Sequence, residues 1–153
     1  MEFRDLLAPS AVALDVHATT PKAVFDRAAA MLATATGITE EAISAALAER
    51  ERLGTTGFGG GSAIPHGRVA GLRGMAAAVV RTAHPLDWHA LDGLPVDLVV
   101  VLIGPEEAGA DHLKSLALVS RTLRDKQLVA KMRGAVEPGA LWTLLAGPQR
   151  RAA

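Results

Sequence analysis

The feature that most restricts the fold is residues 96–103, the run Val-Asp-Leu-Val-Val-Val-Leu-Ile. β-Branched residues and leucine in near-unbroken succession suit a strand covered on both faces. A strand with one wet face alternates polar and apolar residues instead. With Asp97 inside it, the run is far too short to cross a bilayer, which takes about 20 residues. A strand dry on both faces needs helices above and below it, and the rest of the chain supplies them.

Thr20-Pro21 reads as a helix start, with Thr as the cap and Pro preorganised for the first turn. Val24, Ala28, Met31 and Ala35 follow at helical spacing, and Gly37 stops the helix. Thr39 caps a second helix, with Glu40 and Glu41 at its positive end. Ile43, Leu47 and Arg50 share one face of it, and Gly54 ends it. Residues 11–16, 62–64, 75–82 and 86–88 read as further strands, with a glycine-rich loop over 55–61 and a turn at Asp92-Gly93. Asp111 is the expected cap of a long helix whose inner face carries Leu113, Leu116, Ala117, Ser120 and Leu123. Residues 126–132 and 138–146 read as two more helices. This order predicts one α/β domain over 1–153, a mixed sheet with helices on both sides.

Composition narrows the function. Lys plus Arg and Asp plus Glu both number 16, so the chain has no electrostatic grip on nucleic acid. There is no cysteine, which removes disulfides, thiolate catalysis and zinc–thiolate sites and fits a reducing cytoplasm. Only 3% of residues are aromatic, so the core must be built from Ala, Val, Leu and Ile. The N-terminus does not read as a signal peptide, and no membrane insertion is expected.

The chemistry concentrates around Gly57-Phe58-Gly59-Gly60-Gly61-Ser62 and the Ala63-Ile64-Pro65-His66-Gly67-Arg68 that follows. This is neither a Walker loop nor a dinucleotide fingerprint, because no Gly-Lys-Ser/Thr and no helix follow. Its plain reading is a flexible turn. Its functional reading is a bare backbone whose N–H groups converge on an anion, with Gly57, Gly59, Gly60 and Gly61 as phosphate donors and Arg68 beside them. His66 is either a surface histidine in a turn or a nucleophile. Arg50 is either a helix-end cation with its stem over the core or a guanidinium aimed at a phosphate. His112, beside a helix N-terminus, is either a solvated first-turn residue or a neutral donor to a phosphoryl oxygen. His17, His84 and His89 have no partners that suggest a metal, and no metal or cofactor is expected.

Two stretches resemble the active-site region of a known family: residues 50–57, Arg-Glu-Arg-Leu-Gly-Thr-Thr-Gly, and residues 61–68, Gly-Ser-Ala-Ile-Pro-His-Gly-Arg. That family is the type-2 enzyme IIA domains of the bacterial phosphoenolpyruvate phosphotransferase system, the fructose, mannitol and nitrogen-regulatory group. The resemblance continues through residues 91–97 and into Asp111-His112-Leu113. The freestanding length and glycine loop look most like the nitrogen-regulatory members, although Gly60 stands where Asn is frequent there and Ser62 where Ile or Val is usual. The resemblance implies a three-layer α/β/α fold, phosphorylation of His66, and Arg50 and His112 as its active-site companions. It also implies an HPr-like carrier upstream and either a regulatory target or a separate IIB downstream. A ligand-binding module that uses the histidines structurally is the reading outside this class.

Overall fold

The computed structural model describes residues 1–147, so the last six residues of the expected domain lie outside the described residues. A short 3₁₀ turn, Phe3–Asp5, leads into β1 (Leu7–Val16), α1 (Pro21–Thr36) and α2 (Glu40–Arg52). Three short strands follow: β2 (Gly57–Gly59), β3 (Ser62–Ala63) and β4 (His66–Arg68). Then come β5 (Ala76–Leu86), β6 (Val96–Gly104), α3 (Ala110–Arg124), α4 (Lys126–Gly134) and α5 (Pro138–Ala146).

The sheet order is β1-β5-β6-β3-β2, with β4 also paired to β6. β1 runs parallel to β5, β5 antiparallel to β6, and β3 and β4 both run parallel to β6. The sheet is therefore mixed. Helices α1 and α2 pack on each other, as do α3, α4 and α5 in succession, and the two groups form the outer layers of an α/β/α sandwich. β6 is the central strand, and Val96 and residues 98–103 are fully buried. Each such Val or Leu contributes roughly 1.5–3 kcal/mol of burial.

The helix ends follow their sequence signals. The Thr20 hydroxyl accepts from the Ala23 N–H and the Thr39 hydroxyl from the Ala42 N–H, caps worth about 1 kcal/mol each. Gly37 closes α1 at φ +80°, where a side chain would be strained. α3 departs from expectation. Its N-cap is Gly109 rather than Asp111, and its inward face is His112, Ser115, Val119 and Leu123, while Leu113 is exposed. Two polar residues on that face hid its period. Ser115 is satisfied because its hydroxyl donates to the Asp111 carbonyl at 2.8 Å.

Three strand boundaries also differ. β1 begins at Leu7, ahead of the expected residue 11, because Pro9 is tolerated on an edge strand with no outer partner. Leu86 belongs to β5, where it pairs with Val96, rather than to a separate strand. Residues 57–59 of the expected loop form β2, which pairs with β3.

α4 is fastened at its C-terminal end by Arg81, whose guanidinium donates to the carbonyls of Met132, Arg133 and Ala135 at 3.0, 3.0 and 2.7 Å. No helix among the described residues is long and apolar enough to cross a membrane.

Candidate active site

β3 and β4 pair with the same strand in one unbroken register, Ser62 opposite Leu98 and His66 opposite Leu102. Between them Ile64-Pro65 leaves the ladder, although the Pro65 carbonyl still accepts from the Leu102 N–H at 2.9 Å. Proline has no N–H to contribute and holds the preceding residue extended. His66 thus sits where an edge segment resumes, half-buried, on a backbone fixed by the central strand.

The ring of His66 is oriented by its own chain. Its Nδ1 lies 2.8 Å from the Ile64 carbonyl oxygen. A carbonyl only accepts, so Nδ1 carries the proton and Nε2 keeps its lone pair. The Arg50 Nε–H donates to that Nε2 at 3.3 Å, and Arg50 Nη1 donates to the Gly54 carbonyl at 3.0 Å. Burial pushes the His66 pKa below the ordinary histidine value. The Arg50 charge lowers it further, against the opposing pull of the Ile64 carbonyl and Glu51. The ring is therefore a neutral imidazole at pH 7.

The Ile64 carbonyl is itself held in place. The Ile64 N–H donates to the Thr56 carbonyl at 3.0 Å, and the Thr56 N–H donates to Glu51 Oε2 at 2.8 Å. The Thr56 hydroxyl also donates to Glu51 and accepts from Trp88 Nε1. A continuous path of bonds runs from the end of α2 to the His66 ring.

α3 brings His112 to the site from the other side. The two histidine rings stand 5.8 Å apart between centroids. His112 is 7% exposed, so it is not the solvated first-turn residue of the plain reading. Its Nδ1 is buried with no hydrogen-bond partner among the described residues. Burial, then His66 and Arg68, lower its pKa, so it too is neutral at pH 7.

These groups share one open cleft of about 430 Å³, lined by His66, Gly67, Arg68, His112, Arg50 and Leu53, with Ala46 and Glu49 of α2. At Gly67 a Cβ would come within 3.3 Å of the Ala46 backbone, a tight contact that glycine avoids. The exposed Arg68 donates to the Glu106 carbonyl at 3.3 Å. Leu53, in the cleft lining, is 80% exposed and gives the cleft an apolar edge.

The structure thus brings together His66, Arg50, Arg68 and His112. It does not bring the glycine loop to them. Gly57, Gly59, Gly60 and Gly61 are absent from the cleft wall. The Gly57 N–H donates to the Thr55 hydroxyl and the Gly60 N–H to the Asp92 carboxylate. Their placement does not support the expected role as phosphate donors to His66. The residues that sequence reasoning missed are Ile64, which acts through its main chain, and the Glu51–Thr56 pair. A backbone carbonyl leaves no residue-type signal. A carboxylate five residues before a threonine was the available clue. Among the described residues no cluster of three His, Asp or Glu side chains could hold a metal.

Known proteins resemble this chain in sequence and fold. A family model described as phosphoenolpyruvate-dependent sugar phosphotransferase system, EIIA 2, matches residues 5–147. The nitrogen regulatory protein of Bradyrhizobium diazoefficiens is 41% identical over 153 residues, 100% of both chains. The crystal structure of nitrogen regulatory protein IIA-Ntr from Neisseria meningitidis superposes with a TM-score of 0.86 at 30% identity, covering 92% of this chain and 97% of that one. The mannitol IIA of Escherichia coli, solved in complex with phosphorylated IIB, shares the fold with a TM-score of 0.77 at 17% identity, covering 94% of this chain and 100% of that one. The chain belongs to the EIIA 2 family of the phosphoenolpyruvate-dependent sugar phosphotransferase system. Within that family its kinship is with the nitrogen-regulatory members.

Proposed function

We propose that this chain is a phosphocarrier with a nitrogen-regulatory role, taking a phosphoryl group from an HPr-like protein onto Nε2 of His66. The observation that carries the reading is the 2.8 Å contact between His66 Nδ1 and the Ile64 carbonyl, which leaves Nε2 as the free nucleophile beside Arg50.

The donor is a phosphohistidine whose ring is protonated on its other nitrogen. The P–N bond of the donor breaks and its electron pair returns to that ring, which leaves as neutral imidazole. The His66 Nε2 lone pair forms the new P–N bond, and His66 keeps its Nδ1–H on Ile64. The moving group resembles metaphosphate, so catalysis is positioning and charge stabilisation rather than covalent assistance. Arg50 exchanges its long bond to Nε2 for a phosphoryl oxygen, Arg68 adds a second positive charge, and a ring N–H of His112 donates a hydrogen bond. No step needs a metal or cofactor. The exposed Leu53 at the cleft gives the carrier an apolar contact to dock on.

The regulatory output is a contact with a target protein that reads the phosphorylation state. Dependence on phosphoenolpyruvate sets the reaction in the cytoplasm. A separate IIB as acceptor is the second reading, favoured by the fold shared with the mannitol IIA solved in complex with phosphorylated IIB. Incubation with phosphoenolpyruvate, enzyme I and HPr tests the carrier. Acid-labile, base-stable phosphate on the chain supports it, and an unlabelled chain under conditions that label HPr contradicts it.

A further inference from the structure

The glycine loop has a second cleft of its own. It lies between the β2–β3 hairpin and the α3–α4 junction, has a volume of about 410 Å³, and shares no residue with the His66 cleft. We propose that it binds a small phosphorylated ligand bearing an apolar ring, of the nucleoside di- or triphosphate class.

Three cations surround it: Arg124, Lys126 and Arg133. Arg133 is ion-paired with Asp97, so two of the three, Arg124 and Lys126, bring unpaired charge to the lining. Arg124 and Lys126 are exposed and have no ion-pair partner among the described residues. Arg133 is held in place, donating to Asp97 at 3.0 Å and to the Gly60 carbonyl at 2.9 Å. Two other carboxylates stand nearby and are engaged with main chain. Asp92 accepts from the Gly60 and Leu94 N–H groups, and Asp125 accepts from the Leu128 N–H. No carboxylate lines the cleft itself.

The rest of the lining is apolar or glycine. Phe58 of the hairpin is half-buried, and Leu123 of α3 and Val129 of α4 are buried. Gly59 and Gly60 complete the lining with bare backbone at φ +105° and +66°, so no side chain screens the cations from a ligand. Gly61 lies at φ +84°, which favours glycine, and a Cβ there would press on the Arg133 guanidinium. The free guanidinium of Arg124 and ammonium of Lys126 suit a diphosphate, and an aromatic with aliphatic neighbours suits a planar ring. The volume falls within the roughly 300–1,000 Å³ usual for small-molecule sites.

Titration of the ¹⁵N-labelled protein with ADP, adenosine and pyrophosphate at constant ionic strength tests this. ADP should shift the amides of Gly59, Gly60 and Arg133, and adenosine and pyrophosphate should each bind at least tenfold more weakly. The double variant Arg124→Ala/Lys126→Ala changes exposed side chains only and should weaken ADP binding at least tenfold while His66 still accepts phosphate. Three results would overturn the proposal: no ADP response at those amides, undiminished ADP binding by the double variant, or pyrophosphate binding as tightly as ADP.

Discussion

The His66 cleft and the glycine-hairpin cleft are nearly equal in volume, about 430 and 410 Å³, and both are lined by arginines. Only the first contains histidines, and there a ring nitrogen is held by a fixed main-chain bond. In the second, the guanidinium of Arg133 is tied to Asp97 and to the loop it overlies. Cationic groups around a cavity favour phosphate by charge alone. Accepting a phosphoryl group covalently requires an imidazole kept neutral and turned so that its lone pair faces the cleft. Burial supplies the first condition and the Ile64 carbonyl the second.

The sharpest break between the two regions is His66→Ala. It should abolish phosphorylation and leave ADP shifts at the hairpin intact, as read by intact-protein mass spectrometry at mildly basic pH. Stoichiometric phosphate on the variant would move the nucleophile elsewhere. Arg50→Ala should slow phosphoryl transfer by about 10²-fold, the scale of losing one charged donor to the transition state. A normal rate with a lowered melting temperature would reduce Arg50 to a partner of the Gly54 carbonyl.

His112→Leu keeps the buried volume and removes the donor. Single-turnover transfer from phosphorylated HPr should fall about 10-fold. His112→Gln, which retains an N–H, should recover part of the loss, whereas equal rates in both variants would leave His112 a packing residue. Gly61→Ala should have the smallest effect on transfer, with labelling at the wild-type rate. Its cost is to stability, about 1–2 kcal/mol for a side chain at φ +84°, measurable by thermal unfolding. Slowed labelling by a folded Gly61→Ala would return the glycine loop to the His66 site.

The same contrast marks what could be read from the residues. The central strand, the two capped helices α1 and α2, and the histidine with its arginine neighbours all announce themselves through local patterns. Residues 98–103 are apolar because they are buried, and Thr20 and Thr39 stand where caps must stand. The glycine run was legible as a bare, anion-friendly backbone, but its partner in space was not. Arg133 is 73 residues from Gly60, and only the packing of α4 brings them together. The inner face of α3 was hidden for a related reason. Its register is set by His112 and Ser115, polar residues buried through tertiary contacts, so the leucine pattern pointed one residue away. The orienting carbonyl of Ile64 carries no side-chain signature at all.

The central claim is that His66 is a neutral imidazole with its proton on Nδ1 and its Nε2 ready for phosphate. Long-range ¹H–¹⁵N correlation spectra of the histidine rings, recorded across pH before and after phosphorylation, test it directly. The His66 pKa should lie below the ordinary value of 6.5, because burial and Arg50 disfavour the cation. As pH falls, the neutral Nδ1–H form should therefore persist past the point where an exposed histidine protonates. After transfer, the ³¹P coupling should appear at Nε2 while Nδ1 keeps its proton. A resting ring protonated on Nε2, or phosphorus coupled to Nδ1, would contradict the account.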